Sequence, residues 1–561
     1  MTTQYTERTR ASDPAWVKRL WARLGRAYQW LAKRELLACL FILFLTLGLR
    51  AALLPWLPVP HPAVHDEFSY LLAADTYAHG RLANPPHPFW QHFESFQILQ
   101  QPTYASKYQP LQGLVLGFAQ RVFGEPWIGV YLSMGLMCAA ICWMLQGWIA
   151  PQWALLGAIL CMLRVGVLSY WMNTYLAGAL PGIGGALALG ALVRIWRRRQ
   201  FGHSVTWAVG LAILALSRPY DAAVLGCVTA PMLLWFLRRS QTPLRTLCLS
   251  VAVPALLVLA VCGAFIAYNN FRVTGDALTL PYQAHDRQYA MAPMFAILPL
   301  RPEPVYHHAI MRTFWAEWNV GQWIGARTDP GITTLVKLYP FDSFFFPFWA
   351  LMIPLLLCPY YLVTSEERAT VILLVVLLLM VAPLIAAQPH YVAAFAGAVY
   401  LRFLHSLTRL WSWRKWGKPV GRMLASALLV LMFGELFSDL SGIPVTGKKG
   451  AYPSGHDVYS RGLAIRTSGF AAERFSMLRR LEQQPGRQLV LVRYGPEHDP
   501  QNDWVYNRAD IDASKVVWAR EMGPEQDRAF LEYFHDRKVW LLEPDQAPPK
   551  LSPYPLEGFS R

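Results

Sequence analysis

Charged residues are scarce in this chain. Only 15% of its 561 residues are Asp, Glu, Lys or Arg, and 54% are hydrophobic. Soluble globular domains carry about 25% charged residues, and the mean hydropathy here is +0.26. The shortage of charge therefore excludes the soluble class and predicts a polytopic membrane protein, long enough for a helix bundle and one extra domain.

Sequence patterns tied to particular chemistry are also missing. No CxxC pair occurs, and all eight cysteines lie in apolar segments, so they are predicted to be small buried side chains. No glycine-rich loop of the GxxxxGK[ST] type occurs, so a nucleotide-phosphate site is not expected. No cleavable signal peptide is evident, because the first apolar run begins near Leu36 after a long basic leader. That first segment is expected to remain as an anchor.

What the chain does have is an excess of positive charge, +16 overall. The basic residues form short clusters between apolar runs, which is typical of cytoplasmic loops that face anionic lipid. Membrane lipid is therefore an expected partner, and nucleic acid is not.

Apolar segments close to the length of about 20 residues that crosses a bilayer recur along the chain. The candidates are 36–57, 127–147, 152–170, 174–194, 245–268, 343–363, 369–386, 389–408 and 419–439. A further pair of short segments lies between 204 and 236, so about eleven transmembrane helices are predicted.

Four clusters of Lys and Arg set the predicted orientation. They lie within 18–34, 197–199, 238–239 and 409–415. One alternating scheme puts all four on the cytoplasmic side, provided that helix 110–124 lies at the outer interface instead of crossing. The scheme also gathers polar residues from distant parts of the sequence at the outer rim, which predicts one active site there. These residues are Asp66, Glu67, Lys107, Asn173, Arg218, Asp221 and His390.

Hydrophilic regions are predicted on the outer side in two loops and at the C-terminus. The C-terminal stretch contains one amphipathic helical pattern and two strand patterns, which predicts a small extracytoplasmic α/β domain. These patterns lie at 470–481, 488–493 and 538–542. The predicted parts are a cytoplasmic leader (1–35), a transmembrane bundle (36–439) with outer loops 58–109 and 269–342, and the C-terminal domain (440–561).

Asp66 and Glu67 lie a few residues beyond the first apolar segment. A carboxylate at the water-facing rim can deprotonate an acceptor hydroxyl if partial desolvation raises its pKa. The alternative is helix capping, because an acidic residue at a helix N-terminus accepts backbone N–H bonds without a catalytic role. Helical spacing would place Asp66, Tyr70 and Tyr77 on one face.

Lys107 and Arg218 are the candidate cations for a phosphate. Lys107 precedes the interfacial helix and could hold the phosphate of a lipid carrier, whereas the alternative is an ordinary lysine that extends to the membrane surface. Arg218 lies at a helix break before Pro219, where an arginine needs an anionic partner, either a phosphate or Asp221.

His390 is a candidate metal ligand or contact to a sugar or phosphate, although a lone histidine is more often hydrogen-bonded locally. The histidines between 61 and 92 lack metal-ligand spacing, so they give little support for zinc, and divalent-metal dependence is left open. Loop 269–342 is rich in aromatic residues, which would either cover the site and stack on sugars or form an interfacial belt.

In order and spacing, these motifs resemble the C-type (GT-C) membrane glycosyltransferases, especially bacterial relatives of protein mannosyltransferases and of the aminoarabinose transferases that modify lipid A. The resemblance extends over about residues 36 to 410. The motifs are Asp66-Glu67 with Tyr70 and Ala73-Ala74, Lys107-Tyr108-Gln109-Pro110-Leu111 before a helix ending at Phe123-Gly124, Arg218-Pro219, and His390-Tyr391.

This resemblance implies a GT-C fold, a polyprenyl-phosphate sugar donor, an extracytoplasmic site and inversion at the anomeric carbon. It implies Asp66 as the general base. Family members often have a second acidic residue where this chain has Asn173, and an amide cannot remove a proton, so Glu67 becomes the expected second acid. The expected substrate-binding and lipid-phosphate-binding residues are Lys107, Tyr108, Arg218, Asn173, Tyr70 and His390.

The predicted function is transfer of a monosaccharide to a glycan, lipid or protein acceptor outside the inner (plasma) membrane of a bacterium. One alternative is a transporter or flippase of lipid-linked glycan, which predicts ionisable residues in mid-span. Another is a non-catalytic glycan-binding scaffold, in which Asp66 and Lys107 would share no purpose. The sequence names neither the sugar nor the carrier length, and acceptor docking is the hypothesis for the C-terminal stretch.

Overall fold

The computed structural model describes residues 15–198, 200–239, 243–345, 364–441 and 469–555. Within these ranges the chain is mostly helical. The helices are α1 (Ala15–Ala32), α2 (Glu35–Ala52), α3 (His65–Ala78), α4 (Pro110–Phe123), α5 (Trp127–Trp148), α6 (Pro151–Cys161), α7 (Ala179–Arg198), α8 (Phe201–Ser217), α9 (Pro219–Arg239), α10 (Leu244–Thr274), α11 (Pro281–Tyr289), α12 (Ala309–Arg312), α13 (Asn319–Thr328), α14 (Pro330–Phe345), α15 (Ser365–Val381), α16 (Ala396–Ser412), α17 (Val420–Ser441), α18 (Gly469–Gln483) and α19 (Pro524–Tyr533). The strands are β1 (Ile98–Leu99), β2 (Ala105–Ser106), β3 (Arg487–Val492), β4 (Val516–Arg520), β5 (Arg537–Glu543) and β6 (Lys550–Pro553).

Five of the described helices are long and apolar enough to cross a membrane, namely α2, α5, α7, α9 and α10. Shorter apolar helices accompany them at Pro151–Val167, Phe201–Ser217 and Val420–Gly434. A mostly helical chain with several apolar helices agrees with the predicted multi-pass membrane protein. The span predicted at 343–363 lies mainly outside the described residues, so the figure of about eleven helices stays a prediction.

The span predicted at 174–194 begins later than expected. Helix α7 starts at Ala179, and residues 168–178 before it form buried turns. The amide of Asn173 holds these turns, because its Oδ1 accepts from Arg50 Nε at 3.1 Å and its Nδ2 donates to a carbonyl four residues earlier at 2.8 Å. Hydrogen-bond partners of this kind allow a non-helical stretch to be buried, which hydropathy alone does not reveal.

Basic clusters gather at one end of the bundle. Glu35 opens α2 beside Arg194, in the last turns of α7, so the end of α1 lies near Arg197 and Arg198 at the end of α7. Near the end of α7, Trp196 stacks on Phe236 at a ring-centroid distance of 4.0 Å. This contact brings the last turn of α9, with Arg238 and Arg239, close to the end of α7. The region is termed the basic end.

Helix α3 lies at the other end of the bundle, beyond the last turn of α2. Arg50 in that turn packs over the Trp127 ring at the start of α5, at 4.7 Å. Helices α3 and α4 approach closely through glycine, since a Cβ on Gly117 would lie 2.7 Å from the carbonyl oxygen of Ala74. This packing brings the starts of α3 and α4 together. The region is termed the outer end.

The hydrophilic stretch predicted as loop 269–342 is largely helical. It contains α11 to α14, so its polar composition marks a series of helices instead of an irregular loop. The other predicted loop, 58–109, contains α3 and the β1–β2 hairpin, which is antiparallel.

The C-terminal part forms a four-stranded sheet in the order β4-β3-β5-β6, with β6 antiparallel to β5. The predicted helix and strands are present as α18, β3 and β5. The apolar core of this sheet includes side chains of the outer loop, namely Phe68, Leu72, Phe93 and Tyr104. Residues 469–555 therefore pack directly on α3.

Candidate active site

The Glu67 side chain fixes the start of α3. Its Oε2 accepts the N–H groups of Ala63 at 2.8 Å and Val64 at 3.1 Å, and its Oε1 accepts the N–H of Tyr175 at 2.9 Å. Burial raises the pKa of Glu67 to about 7, and the three N–H groups oppose the rise. Glu67 is 1% exposed, so its contacts are those of a helix cap that also anchors the 168–178 turns.

Asp66, the adjacent carboxylate, is only half-buried. Its Oδ1 accepts a hydrogen bond from the Tyr108 hydroxyl at 2.6 Å, and the Tyr108 ring stacks on Tyr70 at 4.6 Å. Burial raises the pKa of Asp66, whereas the Tyr108 hydrogen bond and the charges of Lys107 and Arg218 act in the opposite direction. A carboxylate of raised pKa that remains accessible is suited to accept a proton.

A hydrogen-bonded hairpin sets the position of Lys107 beside α3. The Oγ of Ser106 lies 2.7 Å from the Oγ of Ser69 in α3. Ser69 also donates to the Gln97 carbonyl at 2.7 Å, and the same carbonyl accepts the N–H of Lys107 at 3.3 Å. The β1–β2 hairpin is therefore attached to the helix that carries Asp66, and Lys107 follows directly after it.

Aromatic rings surround the Lys107 ammonium. Its Nζ lies 4.2 Å from the ring centroid of Tyr282, 5.4 Å from that of Trp315 and 5.6 Å from that of Tyr108. The residue is 3% exposed, and no described residue accepts a hydrogen bond from Nζ or pairs with it within 4.0 Å. Burial lowers the pKa of Lys107, and the carboxylates of Asp286 and Asp66 oppose this. A buried ammonium held only by rings is suited to bind an anionic ligand.

Arg218 reaches the same region from the break between α8 and α9. Its Nε lies 3.3 Å from Asp221 Oδ2, so the carboxylate is one partner of this arginine. The guanidinium also stacks over the Tyr391 ring at 4.3 Å. Arg218 and Lys107 both act on the pKa of Asp66, so the three residues share one electrostatic neighbourhood.

His390 and Asn173 lie behind this neighbourhood. The His390 Nδ1 and its backbone N–H lie 2.9 and 3.0 Å from the Tyr170 hydroxyl, and its ring packs edge-on against Tyr391 at 4.8 Å. The Asn173 amide binds Arg50 and backbone, as described above. His390 thus supports Tyr391, over which Arg218 packs, whereas Asn173 supports the 168–178 turns. The described ranges contain no group of three His, Cys, Asp or Glu side chains that could hold a metal ion.

Part of the wall around Lys107 comes from loop 269–342, which was expected to bring aromatic side chains, Tyr282 and Trp315 among them, over the site. Tyr282 and Asp286 lie one turn apart on α11, and Trp315 follows α12. The only sequence signal was the abundance of aromatic residues in 269–342. Their pairing with Lys107 depends on contacts between segments far apart in the chain.

The C-terminal part holds α3 from the side away from α4. The His65 Nδ1 lies 2.6 Å from the Tyr506 hydroxyl, and Phe68 stacks on the same tyrosine at 4.1 Å. The Asp75 carboxylate accepts the N–H of Ala509 at 2.9 Å. These contacts give residues 469–555 a structural role beside the candidate site, and acceptor docking stays a prediction.

Solved structures that the chain resembles include those of an archaeal oligosaccharyltransferase and of ArnT. With the Archaeoglobus fulgidus oligosaccharyltransferase AglB, in complex with an inhibitory peptide and a dolichol-phosphate, identity is 12%, the TM-score is 0.48, and the match covers 94% of this chain and 70% of that one. With the apo form of the oligosaccharyltransferase from the same organism, identity is 12% and the TM-score is 0.44. That match covers 72% of this chain, and this chain spans only 55% of the length of that enzyme. With ArnT from Cupriavidus metallidurans bound to undecaprenyl phosphate, identity is 13%, the TM-score is 0.44, and coverage is 91% and 92%.

Neither a family model nor a curated relative matches the chain.

Proposed function

We propose that this chain is a glycosyltransferase that moves a monosaccharide from a polyprenyl-phosphate carrier to an acceptor on the outer side of the membrane. One observation carries the proposal: the buried Lys107 ammonium lies 5.6 Å from the ring centroid of Tyr108, and the hydroxyl of the same tyrosine donates to the half-buried Asp66 carboxylate. Lys107 has no described anion within ion-pair distance. Glycosyl transfer from a lipid phosphate needs a proton acceptor and a cation for the leaving group, and this pair supplies both.

In the proposed reaction, Asp66 removes the proton of an acceptor hydroxyl. The acceptor oxygen forms a bond to the anomeric carbon while the bond from that carbon to the phosphate oxygen breaks. The polyprenyl phosphate leaves with the electron pair, and Lys107 and Arg218 stabilise its charge. A single displacement of this kind inverts the anomeric carbon.

The remaining site residues support this chemistry. We assign Glu67 to positioning, because backbone groups occupy its carboxylate, and this replaces its expected role as a second acid. Tyr108 orients Asp66, and Tyr70 supports Tyr108 by stacking. Tyr282 and Trp315 offer aromatic faces next to Lys107 on which a sugar ring can pack.

The proposed orientation places the basic end in the cytoplasm and the outer end outside the membrane. Clusters of Lys and Arg favour the cytoplasmic side, and the basic end collects them. In a bacterium this corresponds to the inner membrane, with the Asp66 region and residues 469–555 facing the periplasm.

The test is turnover of a panel of polyprenyl-phosphate sugars by the purified protein, scored as release of free polyprenyl phosphate. Undecaprenyl phosphate, which ArnT binds, is the first carrier to use. We expect Asp66→Asn to slow release by about 10²- to 10⁴-fold, the usual contribution of a general base. Asp276→Asn, the same change at an exposed carboxylate, is the matched control and is expected to retain activity.

Release at the same rate by Asp66→Asn and wild type would remove Asp66 as the base. Absence of release from every donor, with lipid still bound, would refute the proposed transfer reaction. The same assay with and without a chelator measures divalent-metal dependence, since none of the proposed steps assigns a metal.

A transporter of lipid-linked glycan remains the second candidate. It predicts ionisable side chains within the bundle, and Arg164 and Arg402 are both buried there. Transport of a labelled lipid-linked sugar across a reconstituted membrane, without release of polyprenyl phosphate, would favour this function over transfer.

A further inference from the structure

The first helix has an apolar face that is exposed in the described chain. Along α1, the side chains of Trp16, Leu20, Trp21 and Leu24 are between 47% and 68% exposed. At 100° per residue they occupy one side of the helix, and Arg19, Arg23 and Arg26 occupy the other. A surface helix of a soluble fold would bury the first set against a core, and α1 does not.

The charge on this helix has one sign. Residues 15–34 contain six Lys and Arg and no Asp or Glu. The basic side chains of α1 named above are all exposed, so they are available to an anionic partner.

A second segment at the same end also combines an exposed apolar side chain with basic residues. Residues 413–419 form a tight hairpin in which Lys415 and Lys418 pair antiparallel, and Trp416 and Gly417 turn the chain with φ of 49° and 74°. The Trp416 side chain is 85% exposed at the tip. Residues 413–422 contain four Lys and Arg and no acidic residue.

The two segments form a continuous surface through α6. The Tyr28 hydroxyl of α1 donates to the Gln152 carbonyl at 2.5 Å. Next to it, the Trp153 ring meets the Trp411 ring edge-on at 5.7 Å. Trp411 lies immediately before the hairpin, so α1 and the hairpin lie on the basic end together.

We propose that α1 and hairpin 413–419 form a binding surface for the headgroups of anionic phospholipids. Exposed tryptophan and leucine side chains enter the headgroup layer, and the flanking Lys and Arg bind the lipid phosphates. Charge of one sign selects an anionic lipid, and the apolar face selects a membrane over an acidic protein in solution. Helix α1 then lies along the membrane plane.

Hydrogen exchange on the full chain tests this surface directly. The protein is reconstituted in nanodiscs of phosphatidylcholine alone, or of phosphatidylcholine mixed with phosphatidylglycerol, and exchange is followed for the peptide 15–32. We expect exchange to be about tenfold slower in the anionic nanodiscs. The triple variant Arg19→Glu, Arg23→Glu, Arg26→Glu is expected to lose this difference, and high salt is expected to reduce it in the wild type.

A matched control changes the same charge elsewhere. Arg480→Glu, Arg508→Glu, Arg528→Glu alters three exposed arginines of the C-terminal part and is expected to keep the lipid difference. Unchanged exchange in α5 shows that the α1 variant is folded. Equal exchange of 15–32 in both lipids, or equal loss of the difference in the variant and the control, would overturn the proposal.

Discussion

The two ends of the bundle use the same residue types in opposite ways. At the outer end, Lys107 is almost fully buried and lies among aromatic rings with carboxylates nearby. At the basic end, Trp416 and the basic residues around it are exposed, and residues 413–422 contain no acidic residue. A buried ammonium is costly unless an anion joins it, whereas an exposed one is hydrated. Burial, and not residue type, therefore separates the proposed ligand site from the proposed lipid-binding surface.

A second contrast lies within the outer end itself. Asp66 and Glu67 are neighbours in sequence with the same chemical group. One carboxylate accepts a single tyrosine hydrogen bond and stays accessible, and the other accepts three backbone N–H groups in the interior. Adjacent helix positions point about 100° apart, so one faces the site and the other faces the turns it anchors.

Among the predictions that compare the two ends, we expect replacement of Lys107 to have the largest effect on the release rate. Lys107→Met should slow release of polyprenyl phosphate by about 10²- to 10³-fold, because it removes a cation aimed at the leaving group. Lys415→Met, the same change at the exposed hairpin, should leave release unchanged. Comparable losses in both variants, measured in the same detergent, would contradict a special role for the buried lysine.

Replacing Glu67 tests whether the two carboxylates have different roles, one structural and one catalytic. Glu67→Ala should lower the free energy of unfolding by about 3 kcal/mol, because three N–H groups lose their charged acceptor. Thermal unfolding measures the loss of stability, and the rate of polyprenyl phosphate release is measured on the same variant. If Glu67→Gln abolished release without lowering the melting temperature, Glu67 would be a catalytic acid and the positioning role would be wrong.

Acidification tests the contact between α3 and the C-terminal part. Burial lowers the pKa of His65 to about 4 from its ordinary 6.5, so below pH 6.5 the unfolded chain takes up a proton that the folded protein excludes. Stability is therefore lost as the pH falls from 6.5 towards 4, by about 2 kcal/mol at pH 5 from this group.

His65→Gln should reduce the difference in melting temperature between pH 7 and pH 5. Tyr506→Phe keeps the ring and removes only the hydroxyl partner, so it tests the hydrogen bond separately. An identical pH dependence in wild type and His65→Gln would mean that other buried histidines, such as His285, cause the loss.

The candidate site could be predicted in part because its charges are rare in an apolar sequence. Asp66, Lys107 and Arg218 were found at the ends of apolar segments, where hydropathy and helix breaks make them visible. The three backbone partners of Glu67 and the approach of Tyr282 to Lys107 could not be predicted, because hydrogen bonding and cation–π contact leave no local pattern. Asn173 was expected to face a substrate, but its amide is taken up by Arg50 from another helix.

The sequence by itself determined the membrane class, most helix positions, two of the four strands of the C-terminal sheet and the gathering of basic residues at one end. These properties follow from composition and from periodicities of two or 3.6 residues, which are local. Only the tertiary structure decided that the C-terminal part packs on α3, where His65 and Tyr506 meet across 441 positions of sequence. Such contacts depend on how distant surfaces fit together, and a single sequence carries no periodic signal for them.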